Sequence, residues 1–224
     1  MKRLAVLTAL ALAVPLAIAN LAADAATTSS RTYFFGRAPL NHDWAKYANS
    51  TRAASLVWVK SGRLHVATAG ARGSGLCLCR GPRSTVAPFA RWDVRARATR
   101  NADHGFAIML WPDSGSWPSA GEIDLAEFPG TERNLLQTTV HYTASNRQIT
   151  KFTKGDFTRW HTYSVIWRRA SLTYLLDGRT VMRVTRAAAI PTGPMHLAIQ
   201  AGPDVAHPSA TRARLDVDWV HVRH

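Results

Sequence analysis

The chain has only three glutamates, Glu122, Glu127 and Glu132, and two of them flank an aspartate in the run Gly121-Glu122-Ile123-Asp124-Leu125-Ala126-Glu127. It also has 23 arginines and a formal net charge of +14, so glutamate is not used here to balance the surface. Clustered carboxyls inside an apolar stretch ask for a chemical reason. Paired carboxyls are the machinery of glycosidic bond cleavage, one acting as nucleophile or base and the other, still protonated, as acid. Like charges this close cannot all ionise without penalty, so at least one pKa must rise, which supplies the protonated partner. An acid lying between two others holds a shared proton and couples their titrations.

Read as a strand, this segment puts Glu122 and Asp124 on one face and Ile123 and Leu125 in the core. Strict alternation would then send Glu127 into the core, where an unpaired carboxylate is costly. One extra residue between Asp124 and Glu127, a β-bulge, returns Glu127 to the face of the other two. The expectation is three acids lining one side of one sheet.

Several neighbours could hold a substrate at such a site. Sugar rings have apolar faces that stack on aromatics. Trp117, in a Gly/Ser/Pro-rich loop, is assigned to a cleft in preference to the core; Trp111 stands evenly between the two. His141 shares the polar face of its strand with Gln137 and Thr139. Arg95, facing away from Trp92, and Gln200 are further substrate-binding candidates, with a solvated arginine as the plain alternative for Arg95. Trp58, Trp167 and Trp219 sit in strands of buried composition and are assigned to the core. No Cys or His cluster has metal-ligand spacing, so no metal site is expected. Nucleophile-elbow and phosphate-loop motifs do not occur. Cys77 and Cys79 are one residue apart; a disulfide across that gap in an extended strand is strained, and two free thiols are expected.

Short β-rich runs separated by turn residues position these groups. Residues 56–59 and 63–67 form a hairpin around Ser61-Gly62, and Asp177-Gly178 closes a second between 171–176 and 180–184. In 91–97, Trp92, Val94 and Ala96 alternate strictly with charged residues. Runs 105–111, 136–142, 161–167, 195–200 and 213–222 complete about a dozen strands. No long stretch has helical periodicity. Segments 112–120, 144–159 and 202–211 are dense in turn formers and read as loops. The fold class is all-β, a jelly-roll β-sandwich.

Residues 1–26 have a basic start, an apolar run and a small-x-small site at Ala23-Asp24-Ala25, the pattern of a secretory signal peptide. Residues 27–224 are expected to form a single sandwich domain, secreted and monomeric. Removing Lys2, Arg3 and Asp24 with the leader leaves +13. That charge favours non-specific attraction to anionic surfaces. No reader motif for nucleic acid and no second membrane-length run accompany it.

The acid run resembles the bulged active-site signature of glycoside hydrolase family 16. Phe89-Ala-Arg-Trp-Asp-Val-Arg95 is similar to a strand motif of that family, with Ala90 in place of its usual Gly. Leu110-Trp111-Pro112, Trp117-Pro118, Val140-His141, Trp160-His161-Thr162-Tyr163, Asp177-Gly178 and the segment 216–222 follow in the family's order. The resemblance implies a concave glycan-binding cleft with Glu122 as nucleophile, Glu127 as general acid/base and Asp124 tuning both. It places His141 near the acid/base. It implies an endo-acting, retaining hydrolase of a β-linked polysaccharide, most readily a β-1,3-glucan. A transglycosylase, a lectin-like module and a basic wall- or DNA-binding protein are the alternatives. No cofactor is expected for catalysis; family members often carry a structural calcium, which no residue here indicates.

Overall fold

A computed structural model describes residues 29–36, 39–81, 88–100, 104–128, 133–203 and 212–224. The leader assigned to residues 1–26, Glu132 and most of the loop assigned to 202–211 lie outside the described residues. The strands are β1 (Ser30–Phe34), β2 (Trp44–Lys46), β3 (Val57–Lys60), β4 (Arg63–Ala67), β5 (Ser74–Leu78), β6 (Arg91–Ala98), β7 (His104–Pro112), β8 (Glu122–Phe128), β9 (Leu135–Tyr142), β10 (Arg147–Lys154), β11 (His161–Arg168), β12 (Ser171–Leu176), β13 (Arg179–Val184), β14 (Met195–Pro203) and β15 (Arg214–Arg223). Two short 3-10 turns are the only helical pieces among the described residues.

The strands form two antiparallel sheets of a jelly-roll sandwich. One runs β10-β9-β8-β7-β14-β5-β2; the other runs β13-β12-β11-β6-β15-β4-β3, with β1 also paired to β15. Period-2 alternation decides which side chains meet between the sheets. From β6 come Trp92, Val94 and Ala96; from β11 Tyr163, Val165 and Trp167; from β8 Ile123 and Phe128; from β14 Leu197 and Ile199, all buried. Both expected hairpins form, and their central residues Ser61, Gly62, Asp177 and Gly178 have positive φ, as tight two-residue turns require.

Four expectations are corrected. The assigned loop 144–159 contains β10, an edge strand of the cleft sheet. It carries polar residues on both faces, with Ile149 its one hydrophobic residue packed against the core, so it has no apolar alternation to read. Cys77 and Cys79 are joined in a disulfide, with Cα atoms 5.2 Å apart. Extended chain would separate them by roughly 6.7 Å, but β5 ends at Leu78 and the turn away brings Cys79 within bridging range. Trp58 and Trp219 are half-buried on the outer face of the second sheet, whereas Trp167 is in the core as expected. Trp58 stacks there on His65. Arg95 also lies on that outer face, not in the cleft: its Nε is 3.3 Å from Asp218 and its guanidinium is near the Trp160 ring.

Candidate active site

The bulge expected in the acid strand is present. Asp124 pairs with Thr139 and Glu127 with Gln137, so three steps along β8 match two along β9. The β7 side agrees: Ile108 pairs with Ala126 and its neighbour Met109 with Asp124. Leu125 is the surplus residue, and Leu125 and Ala126 both bury. Apolar demand for the core on both sides of the acids forces this irregularity, and the irregularity sets Glu127 beside Asp124 and Glu122. Gly121 admits the strand: it has φ +84°, and a Cβ there would stand 2.7 Å from Pro191.

Each acid is held by a different neighbour. The Trp117 indole N–H donates to Glu122 Oε2 at 2.6 Å. His141 Nε2 is 3.2 Å from Asp124 Oδ2, an ion-pair contact. The other ring nitrogen of His141, Nδ1, donates to the Asn146 side-chain carbonyl at 2.7 Å. Glu127 Oε2 accepts from the Gln137 amide at 2.7 Å and from the Thr139 hydroxyl at 3.2 Å. Gln137, Thr139 and His141 come from one face of β9, so alternation on a single neighbouring strand serves Asp124 and Glu127, while the loop residue Trp117 serves Glu122.

The electrostatics separate the roles. Asp124 is 1% exposed, and burial drives its pKa well above the usual carboxylate range; the charges of Glu122 and Glu127 push the same way and His141 opposes. Burial also raises Glu127, with Glu122 adding to it and the Thr139 and Gln137 hydrogen bonds opposing. Contact with Asp124 lifts His141 to about 9, with Asn146 and Glu122 assisting and burial opposing. At neutral pH the imidazole therefore carries a proton, and Asp124 and Glu127 hold theirs to higher pH than free carboxyls do. Ligand atoms of Glu122, Asp124 and His141 lie within 4.8 Å of one another, as a cation site would require. The Trp117 N–H takes one oxygen of Glu122 and His141 contacts Asp124, so the same trio is also placed to share protons.

The aromatic wall and the two ends of the cleft are also in place. Trp111 and Trp117 stack at 6.1 Å with rings 14° apart, and Trp117 is 42% exposed over the acids. On the β14 side a hollow of about 570 Å³ is lined by Trp111, Gln200, His196, Tyr47, Asn49 and Arg52, among others. There the Arg52 guanidinium donates to the Gln200 carbonyl oxygen at 2.6 Å. On the opposite side Phe152 of β10 pairs across the ladder with Gln137 and so shares the cleft face; it is 52% exposed. The structure thus brings together Glu122, Asp124, Glu127, Trp111, Trp117, His141 and Gln200, and leaves Arg95 outside. Sequence reading missed Asn146, Arg52, Tyr47 and Phe152. The last was hidden because its strand was not recognised; Asn146, at φ 53° in the β9–β10 turn, had only its turn-forming residue type as a signal.

Known proteins share this frame. The chain is 26% identical over 164 residues to a glucan endo-1,3-beta-glucosidase A1 of Niallia circulans, an alignment covering 60% of this chain and 24% of that protein. It is 28% identical over 100 residues to a beta-glucanase of Rhodothermus marinus, covering 40% of this chain and 35% of that protein. It spans only about a quarter to a third of these curated relatives. In fold it is similar to the laminarinase catalytic domain of Thermotoga maritima, with TM-score 0.74, 14% identity, and 86% and 96% of the two chains covered. It is likewise similar to the laminarinase of Rhodothermus marinus, with TM-score 0.75, 20% identity, and 87% and 96% covered. The family model for glycosyl hydrolases family 16 matches residues 82–221, which include every strand that carries an acid or its hydrogen-bond partner, and the chain belongs to that family.

Proposed function

We propose that this protein is a secreted endo-glycosidase that cleaves a β-1,3-glucan with retention of configuration. The observation that carries the reading is the bulge, which gives one face of β8 three acids in unequal environments. Glu122, held by the Trp117 N–H, is the nucleophile that attacks the anomeric carbon as the glycosidic C–O bond breaks. Glu127, whose pKa burial raises, gives a proton to the leaving oxygen and later takes one from the water that releases the covalent intermediate. Asp124 touches neither step; buried beside both glutamates and in contact with His141, it tunes them.

The choice of β-1,3-glucan is supported by the names of the relatives, and the hollow beside Trp111 and Gln200 gives a chain room to extend past the acids. A lectin-like module would use the aromatic wall but has no use for three clustered acids. Glu122→Gln is expected to fold normally and to lose roughly 10³-fold or more in kcat, the scale of a removed nucleophile. Laminarin, mixed-linkage glucan, agarose and carrageenan form the substrate panel, and NMR of the first-formed anomer reads the stereochemistry. Retention of most activity in Glu122→Gln, or an inverted first product, defeats the assignment.

A further inference from the structure

Large hydrophobic side chains exposed to solvent are few: among the described residues they are Trp117, Phe152 and Phe34. The first two lie on the cleft face around the acids. Phe34, 73% exposed, lies elsewhere, on the outer face of the other sheet. Its direct cross-strand partner is Trp219.

Trp219 owes its position to a second bulge. Simple alternation along Leu215-Asp-Val217-Asp-Trp219 would send Trp219 inward. The core instead takes Leu215, Val217, Val220 and Val222, all fully or almost fully buried. Val217 pairs with Ala96 and Trp219 with the next residue back, Arg95, leaving Asp218 surplus. From that point on the strand presents Trp219, His221 and Arg223 outward. As in β8, a bulge delivers a functional type of side chain to an open sheet face.

The outcome is a groove of about 370 Å³, lined by Phe34 and Trp219 with Asp93, Arg91, His221 and Thr162 among the polar groups. That volume lies within the roughly 300–1,000 Å³ of ligand-sized clefts. Its polar groups are ordered. Arg91 Nε and Nη2 donate to the Asp93 carboxylate at 2.8–3.0 Å, and His221 Nδ1 bonds the Thr32 hydroxyl at 2.7 Å. The Arg91–Asp93 pair cancels its own charge and Arg223 adds one cation to the lining, so the groove combines an apolar platform with fixed donors and acceptors and a net positive charge. Neutral sugars offer the matching surface, with an apolar ring face and a rim of hydroxyls.

We propose that this groove is a second carbohydrate site, which holds a strand of the polysaccharide on the sheet opposite the catalytic one. Phe34 and Trp219 stack the sugar rings, and Asp93, Arg91 and His221 bond the hydroxyls. The choice of β-glucan as occupant rests on the reading of the cleft. The site would keep the enzyme on an insoluble or long substrate between cleavage events and would contribute nothing to short ones.

The test compares Phe34→Ala, Trp219→Ala and Asp93→Asn with the parent protein. Phe34→Ala removes an exposed side chain and keeps the fold even if Trp219→Ala does not. Binding to insoluble β-1,3-glucan particles is measured with saturating laminaritetraose present to fill the cleft, and kcat/KM is measured on laminarihexaose. Parent protein should remain bound under competition. Phe34→Ala should lose at least about fivefold of that binding while its kcat/KM stays within about twofold. Unchanged binding of Phe34→Ala, or complete release of the parent by laminaritetraose, overturns the proposal. If the parent cleaves no β-1,3-glucan, the reading of the cleft has failed separately. Affinity electrophoresis of parent and Phe34→Ala through laminarin, mixed-linkage glucan, agarose and carrageenan then decides the groove: retardation lost in the variant supports it, and equal mobility in all four gels rejects it.

Discussion

At the scale of single residues, His141 reports most directly on the site. It is a cation between Asp124 and Asn146, and its charge lowers the pKa of Glu127. Replacing it by Gln removes that charge, so Glu127 should hold its proton to higher pH and the alkaline limb of kcat/KM should move up. A limb that stays fixed or moves down refutes the coupling. The same residue links stability to pH. Its pKa is about 9 folded and about 6.5 unfolded. Its stabilisation is therefore complete below pH 6.5 and is lost as pH rises to 9, by an amount on the order of 3 kcal/mol. Denaturant unfolding at pH 6 and pH 9 should show this decline in the parent and a flatter profile in His141→Gln.

At the scale of elements, two kinds of strand behave differently. Those buried on one face, such as β6, announce themselves by alternation, and Trp92, Val94 and Ala96 fall inward as their spacing demands. β10 makes no such announcement, because one face looks into the cleft and the strand is an edge. Yet it carries Phe152, and with it the far wall of the site. Phe152→Ala is expected to raise KM for laminarin severalfold through loss of a stacking contact, with kcat nearly unchanged and short oligosaccharides less affected. An equal loss of kcat would place Phe152 in the chemistry and not at a subsite. Bulges in β8 and β15 share one cause. Each strand has more core-seeking residues than strict alternation can bury, and the surplus residue turns the functional side chain outward.

At the scale of the molecule, two sheets bury one face each against the other and turn their second faces outward. Its stability resides in the layer between the sheets, where Trp92 and Trp167 are among the largest fully buried side chains. Trp92→Ala is expected to cost about 3–5 kcal/mol, lowering Tm by roughly 10 °C at this size. Glu122→Gln should change Tm little, since the site's acids are not what holds the sheets together. A calorimetric scan of both variants checks the separation, and a small effect of Trp92→Ala would mean that the core repacks around the gap.

The sequence by itself determined the chemistry. Three acids in one apolar run demand both a shared face and a raised pKa, and only a bulge reconciles Glu127 with a core that already takes Leu125. Local steric period and the cost of burying charge are short-range facts, so they can be read from neighbouring letters. Residues far apart in the chain are another matter. Gln200 is offered to the cleft by its strand pattern, but only the tertiary structure set it against Arg52 at one end and put Phe152 at the other. It alone set Arg95 on the wrong sheet for catalysis and faced Trp219 toward Phe34. Strand order and register decide such meetings, and they are fixed by how two whole sheets bury their inner faces at once, a condition no single segment carries.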